Sequence, residues 1–103
     1  MNDCVLIGRV AAKPEIRTTS RGNTVADMVL DVDRNFRNED GTRDKDTFQI
    51  TLWKGIAEEI ASTVKIGQMV AVKGRLTGNA NEKEGRTWYN TNIIAERVDI
   101  LRN

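Results

Sequence analysis

The sequence predicts an all-β domain with one short helix, arranged as a five-stranded Greek-key barrel in which the helix lies between strands 3 and 4. Two observations carry this prediction. Apolar and polar residues alternate along residues 47–53 and again along residues 70–76, as they do in half-buried strands. Between these strands, Ile56, Ile60 and Val64 recur every four residues, which is the spacing of an amphipathic helix. We expect residues 1–103 to form a single domain with one core.

The first predicted strand, residues 4–10, is apolar on both faces. One face carries Cys4, Leu6 and Val10, and the other carries Val5 and Ile7. We expect the second face to be covered by the same strand of another copy of the chain, although a locally two-sided core explains the same pattern. Cys4 is the single cysteine of the sequence, and its expected role is that of a small buried thiol without chemistry.

The second predicted strand carries its core residues at alternate positions, namely Ala26, Met28, Leu30 and Val32. Pro14 and Gly22 bracket a predicted loop before this strand. The opposite face of the strand carries three aspartates, Asp27, Asp31 and Asp33. The sequence has no histidine and no further carboxylate clusters with these three, so we expect a solvated strand face and not a metal site.

A charged stretch, residues 34–46, precedes the third strand and is predicted to be a long, mobile connection. The third strand then turns three apolar residues toward the core, Phe48, Ile50 and Leu52. Trp53 lies on its outward face, next to Lys54. In the helix that follows, Glu58 and Glu59 are expected in the first turn, where the positive end of the helix dipole favours them.

The end of the helix and the last two strands follow from simpler signals. Gly67 is expected to stop the helix. The outward face of the fourth strand is basic because it carries Lys73 and Arg75, while its core face carries Val70, Val72 and Leu76. Residues 77–85 are predicted to be a second flexible connection. The last strand is predicted over about residues 86–95, and the core is expected to be closed by Val98, Ile100 and Leu101.

Composition argues against several classes of function. The 16 basic and 15 acidic residues give a net charge of only +1, so a nucleic-acid surface must arise from segregation of charge. The absence of histidine and the single cysteine argue against acid–base catalysis and a zinc site, so we expect no enzyme, metal or cofactor. No apolar run approaches the ~20 residues of a membrane span and no signal-peptide pattern is present, so a cytoplasmic location is expected.

The predicted order of strand, strand, strand, helix, strand, strand is that of the OB-fold. Barrels of this class bind oligonucleotides or oligosaccharides on one face and its loops, and the fold alone does not select between these ligands. An oligosaccharide-binding barrel therefore stays open at this point, and it predicts binding that does not respond to salt.

Seven segments, in register over nearly the whole chain, resemble one family, the bacterial single-stranded DNA-binding proteins. They are NDCVLIGRV from Asn2, KPEIR from Lys13, GNTVADMVLDV from Gly22, RNF ending at Phe36, ITLWKGIAEEI from Ile50, KIGQMVAVKGRL from Lys65 and TNIIAERVDIL from Thr91. The resemblance implies an OB-fold that coats single strands during replication, repair or recombination without catalysis. It also implies a homo-oligomer, most often a tetramer, with a dimer as the alternative.

Four aromatic residues are predicted to stack on bases. Carried over by position, Phe36 and Trp53 resemble two of the family's base-stacking aromatics. The sequence departs from the family where Thr18, Thr47 and Asn81 stand at positions that are often aromatic. Trp88 and Tyr89 lie a few residues after Asn81, and we include them as candidates that compensate for the missing rings.

Eight cationic side chains are predicted to contact phosphate. Three lie on the outward side of the strand–helix–strand unit of residues 47–76, namely Lys54, Lys73 and Arg75. Five lie in or beside the connections expected to rim a DNA-binding groove on that side, namely Arg9, Arg21, Arg34, Arg37 and Arg86. For any one of them, a solvating surface role explains the sequence equally well. Together they predict binding that weakens as salt concentration rises.

A second function is compatible with the same residues. The missing aromatics at Thr18, Thr47 and Asn81 also suit a primosome-type, phage or mobile-element adaptor, which acts mainly through protein partners and binds DNA weakly. The sequence ends at Arg102 and Asn103 without the acidic tail through which single-stranded DNA-binding proteins usually recruit partners, which also suits the adaptor. Other replication proteins are possible partners, with no such tail in this sequence to recruit them.

Overall fold

A computed structural model describes residues 1–102 of the chain, which form five strands and one helix. These are β1 (Cys4–Thr18), β2 (Thr24–Arg37), β3 (Arg43–Trp53), α1 (Lys54–Thr63), β4 (Met69–Lys83) and β5 (Arg86–Arg102). The strands close a barrel in the order β1, β2, β3, β5, β4, and β4 pairs with β1. The predicted class is confirmed, because the described residues are mostly strand with a short helix between β3 and β4.

The core consists of the inward-facing residues of the alternating strands. Its fully buried side chains include Met28, Leu30, Ile50, Leu52, Val70 and Val72, all of which the alternation places inward. α1 packs against β1 and β2 and adds Ala57 and Ile60 to the same cluster. Full burial of one such aliphatic side chain stabilises the fold by roughly 1.5–3 kcal/mol. The position of the helix between strands is thus fixed by its apolar stripe.

The two stretches predicted to be flexible connections are largely strand. β2 continues to Arg37 and β3 starts at Arg43, so residues 34–46 form a hairpin around a short turn. β4 continues to Lys83, and the turn to β5 is made by Glu84 and Gly85, whose φ values of 53° and 77° suit a tight hairpin. The prediction was wrong because both stretches carry polar residues on both faces, which leaves no alternation to detect.

The loop predicted between Pro14 and Gly22 is also shorter than expected. β1 continues through Pro14 to Thr18, and Pro14 is buried. The pairing of β1 with β2 has irregularities between Val10 and Ala12 and again between Ala12 and Glu15. A proline is tolerated in a strand at such a bulge, because the missing N–H lies where the ladder is already interrupted.

The helix starts earlier than its apolar spacing indicated. α1 begins at Lys54, so Glu58 and Glu59 lie beyond the first turn, which contains no acidic residue. Gly67 follows the helix in a turn with a φ of 90°, a region that favours glycine. The Gly67 N–H donates to the Val10 carbonyl at 2.8 Å, and the Val10 N–H donates to the Gln68 carbonyl at 2.9 Å. These bonds tie the connection between α1 and β4 to β1.

The end of β5 contributes less to the core than expected. Val98 packs against the core cluster, as predicted. Ile100 and Leu101 are 38% and 47% exposed, so the prediction that they close the core was wrong. The pairing of β4 with β5 shifts register between Lys73 and Gly74 and between Met69 and Val70, which changes which side chains of β5 face inward.

The two hairpins leave the barrel at the same end. β3 and β5 are parallel neighbours, with Ile50 opposite Ile93 and Thr51 opposite Ile94. The β2–β3 turn precedes β3 and the β4–β5 turn precedes β5, so both turns extend from the end where these strands begin. The described chain measures 46 × 36 × 26 Å, and its length reflects these projecting arms.

Candidate nucleic-acid interface

Trp53 lies on the outer face of β3, where the sequence placed it, and its side chain is 37% exposed. A shallow depression beside it is also lined by Lys54, Arg75 and Ile94. Val25 is the cross-strand partner of Trp53 and is 1% exposed, although it is not part of the core cluster. Directly opposed residues on one face of a sheet are in contact distance. Trp53 therefore shields Val25 and still presents part of its ring to solvent.

Two positive charges accompany the Trp53 ring. Lys54 is the first residue of α1 and has a φ of 52°, which a residue with a side chain adopts only at a cost. Arg75 lies across the depression on the outer face of β4. Within residues 1–102, neither side chain forms an ion pair or a hydrogen bond. Both charges are therefore available to an anionic ligand that reaches Trp53.

A second aromatic site lies on the β4–β5 hairpin. Trp88 is 48% exposed, and the Arg86 guanidinium carbon lies 5.7 Å from the centre of its ring, which is a cation–π distance. Alternation along β5 places Trp88 on the same face as Ile94, which lines the depression beside Trp53. Tyr89 is 80% exposed but points to the opposite face of the hairpin by the same alternation. The two tryptophans thus share the outer surface of the sheet.

Phe36 is 83% exposed near the end of β2, on the other projecting hairpin. The strand between Phe36 and Val25, the partner of Trp53, spans roughly 36 Å at about 3.3 Å per residue. Phe36 borders a depression that is also lined by the half-buried Leu6 and Phe48. Phe36, Trp53 and the adjacent pair Trp88 and Tyr89 therefore lie on different strands, β2, β3 and β5.

Two of the predicted phosphate contacts already have acidic partners. The Lys73 ammonium lies 3.4 Å from a carboxylate oxygen of Asp3 and 3.4 Å from one of Glu96, and its hydrogen bonds to Asp3 and then Glu96 raise the pKa of Lys73. Arg34 donates to Asp46 at 2.9 Å, and this hydrogen bond raises the pKa of the Arg34 guanidinium. These carboxylates offset the charge that either cation offers to a phosphate.

The other predicted cations lie in different surroundings. Arg9 donates to the Gly67 carbonyl at 2.9 Å, at the turn between α1 and β4. Arg86 covers the Trp88 ring. Arg21 and Arg37 are exposed and form no ion pair within the described residues. Their contact with phosphate stays a prediction, and Lys54, Arg75 and Arg86 are the cations that lie beside the exposed tryptophan rings.

The outer face of β2 carries the three aspartates, and two of them, Asp27 and Asp31, are bonded to protein groups. Asp31 accepts a hydrogen bond from the Thr47 hydroxyl at 2.6 Å, and Asp27 accepts one from the Thr51 hydroxyl at 3.2 Å. Asp27 also forms an ion pair with Arg17, a residue that sequence reasoning did not single out. Among the described residues, no group of His, Cys, Asp or Glu is arranged to hold a metal ion.

Likewise, no helix of that part of the chain is long and apolar enough to cross a membrane.

Comparison with known proteins places these features in context. The single-strand binding protein family matches residues 1–101. The single-stranded DNA-binding protein 2 of Listeria innocua serovar 6a is 38% identical over 98% of this chain and 64% of its own length. The single-stranded DNA-binding protein 1 of Streptococcus pyogenes serotype M18 is 36% identical over 98% of this chain and 78% of its own.

Solved structures give the same picture. The wild-type single-stranded DNA binding protein from Thermus aquaticus superposes with a TM-score of 0.79 at 29% identity, over 99% of this chain and 50% of that one. A small single-stranded DNA-binding protein from Streptomyces coelicolor shares the fold with a TM-score of 0.72 at 21% identity, over 95% of this chain and 92% of that one. The chain spans less than two thirds of the length of several curated relatives it matches, among them the Listeria protein at 64%.

Proposed function

Because the chain belongs to the single-strand binding protein family, we propose that it binds single-stranded DNA with little sequence preference and without catalysis. One observation carries this proposal: the exposed Trp53 ring is flanked by two cations, Lys54 and Arg75, that have no acidic partner in the described chain. The role that fits is the coating of exposed single strands in replication, repair or recombination. Bacterial DNA lies in the cytoplasm, so this is also the proposed location.

The chemistry of such binding is physical and not covalent. A flat ring stacks on any base, and one stacked base contributes about 1–3 kcal/mol. A neighbouring cation neutralises the phosphate of the same nucleotide and releases a counterion. Trp53 with Lys54 and Arg75 offers one site where a base can stack and its phosphate can be bound. Trp88 with Arg86 offers a second such site on the same outer surface. Phe36 extends the proposed path toward the tip of the β2–β3 hairpin, whereas Tyr89 lies on the face of the β4–β5 hairpin opposite Trp88.

A titration of tryptophan fluorescence with oligo-dT tests the proposal. We expect saturable quenching whose midpoint rises with salt concentration, because Trp53 and Trp88 are partly exposed and stand next to cations. Single-tryptophan proteins, Trp53→Phe and Trp88→Phe, assign the quenching to each ring. An unresponsive signal at low salt would contradict DNA binding, and binding that ignores salt would favour an oligosaccharide ligand.

An adaptor that acts mainly through protein partners is the second candidate. This candidate is favoured by two positions, Thr47 and Asn81, where the family often has aromatic residues and this chain has hydrogen-bonded polar side chains. The Thr47 hydroxyl is engaged with Asp31, and the Asn81 amide donates to Asn79 at 3.4 Å, so both offer bonded polar groups in place of rings. This candidate predicts weak, weakly quenching interaction with oligo-dT in the same titration.

Substitution of Arg75 should lower the salt dependence of binding. Arg75→Ala removes a cation beside Trp53 that has no partner within residues 1–102, so we expect the slope of log affinity against log salt to fall by about 0.7. Lys73→Ala, on the same strand, is the matched control, because Asp3 and Glu96 already hold that ammonium. Equal changes in slope for the two variants would show that Arg75 makes no special contact with phosphate.

We also propose that the chain forms a homo-oligomer, most simply a tetramer, through the outer face of β1. Val5 and Ile7 are 66% and 53% exposed there, and their cross-strand neighbours on β4 are Lys73 and Ala71. Neighbouring exposed aliphatic side chains on a sheet indicate a surface that is covered in the assembled protein. The other face of β1 contributes Val10 to the core, as the doubly apolar pattern predicted.

Analytical ultracentrifugation tests this assembly. Ile7→Asp should shift the wild-type oligomer toward a monomer, because a carboxylate would be buried in the interface without a partner. Ile16→Asp is the control, since Ile16 is similarly exposed at 52% but lies near the far end of β1. A wild-type chain whose mass is that of a monomer at every concentration would rule out the proposed interface.

A further inference from the structure

A slot opens in the wall of the barrel between β3 and β5. The described parts of these strands pair at Ile50 with Ile93 and at Thr51 with Ile94, and toward the hairpins they separate. The slot has a volume of about 400 Å³, within the ~300–1,000 Å³ of small-ligand sites. Its floor is apolar and its rim polar, with Phe48, Leu76 and Ile93 below and Thr47, Gln49 and Asn92 above.

Two side-chain amides face the slot from opposite sides. Gln49 stands on β3 and Asn92 on β5, both are exposed, and neither side chain hydrogen-bonds to any residue within 1–102. The asparagines farther along the hairpin differ, because the Asn90 amide donates to the Asn79 side-chain oxygen at 3.2 Å and Asn81 donates to the same oxygen at 3.4 Å. The Gln49 and Asn92 amides at the rim of the slot are therefore free to bond a ligand.

The facing strand edges add further hydrogen-bonding capacity. On the hairpin side of Ile50 and Ile93, the facing edges of β3 and β5 are not hydrogen-bonded to each other in the described chain. Their main-chain N–H and C=O groups are therefore open to the slot. The floor supplies exposed apolar surface, since Leu76 is 43% exposed. A planar ligand with an apolar face and a hydrogen-bonding edge matches both parts of this site.

From this arrangement we infer that the slot holds one unpaired nucleobase of a bound single strand, read at its edge by Gln49 and Asn92. The inference rests on the proposed function and adds a base-binding position that contains no aromatic side chain. The position of the slot agrees with this inference, because the slot lies on the outer surface between Trp53 and Trp88. An amide carries both a donor and an acceptor and can rotate, so the site accepts any base.

The test compares ligands with and without bases at fixed salt. The ligands are oligo-dT and an oligonucleotide of equal length with abasic positions at its centre, and the variant is Gln49→Leu with Asn92→Leu. Loss of two hydrogen bonds of ordinary net strength should weaken oligo-dT binding about tenfold. The abasic ligand should bind wild type and variant equally, and the slope with salt should not change. Asn79→Leu is the matched control, because its amide is engaged within the hairpin.

Each outcome decides the inference. A selective loss on oligo-dT, with the control unchanged and thermal unfolding of all variants alike, supports a base in the slot. An unchanged affinity of the double variant, or an equal loss on the abasic ligand, overturns the slot and leaves the DNA-binding proposal standing. If wild type fails to bind oligo-dT at low salt, the proposed function itself is wrong and the inference falls with it.

Discussion

Trp53→Ala should weaken binding of oligo-dT by about 1–3 kcal/mol, the range for one stacked base, and by more than any single cation-to-alanine change. The physical reason is that the ring presents its face to solvent next to Lys54 and Arg75, so stacking and phosphate contact occur on the same nucleotide. The measurement is a direct binding titration at one salt concentration, read by anisotropy of a labelled oligonucleotide so that tryptophan loss does not affect the signal.

Two controls separate stacking from packing. Trp53→Phe keeps an aromatic face and should recover most of the affinity. Trp53→Ala also uncovers Val25, so thermal unfolding must be measured alongside, and we expect a moderate fall in stability that does not unfold the protein. If Trp53→Ala abolishes folding, or leaves the affinity unchanged at matched salt, the stacking role passes to Trp88 or Tyr89.

Gly74→Ala should strongly destabilise the protein where β4 pairs with β5. A Cβ at this position would lie 2.3 Å from the Ile94 carbonyl oxygen and 3.2 Å from its carbon. Both are backbone atoms of the neighbouring strand and cannot rotate away, so β4 and β5 must separate where the sheet approaches Trp53. We expect a loss of about 2–4 kcal/mol in the free energy of unfolding, measured by chemical denaturation at fixed protein concentration.

Gly78→Ala is the matched control for that experiment. Gly78 lies on the same strand, and a Cβ there would meet only the Asn90 carbonyl oxygen, at an ordinary contact distance of 3.6 Å. We expect its stability to change by less than about 0.5 kcal/mol. A similar loss for both variants would indicate that β4 resists any side chain there, and that the close approach to Ile94 is not the cause.

Hydrophobic alternation predicted the elements whose one face is buried. Leu30, Ile50 and Val72 lie in the core because an apolar residue at every second position can face only one side of a strand. The same rule placed Trp53 outward, as the structure shows. The helix was detected for an equivalent reason, since Ile60 and Val64 recur with its period and are buried.

The projecting hairpins could not be predicted in this way. Arg34 and Asp46 pair across β2 and β3, and Asn79 and Asn90 across β4 and β5, but these contacts join residues that look like loop in sequence. The strands persist there because backbone ladders, and not burial, hold them. The ion pairs of Lys73 could not be predicted either, since Asp3 and Glu96 are distant in sequence and approach Lys73 only after the barrel closes.

The narrow contact between β3 and β5 also has a consequence for motion. The barrel joins the meander of β1, β2 and β3 to the hairpin of β4 and β5 through two pairings. β1 pairs with β4 over residues 4–9, whereas the described parts of β3 and β5 pair at only two positions. Short ladders open at lower free energy than long ones. Amide hydrogen exchange should therefore be fastest among the barrel pairings at this parallel contact. The wall can part there transiently while the remaining ladders keep the chain folded.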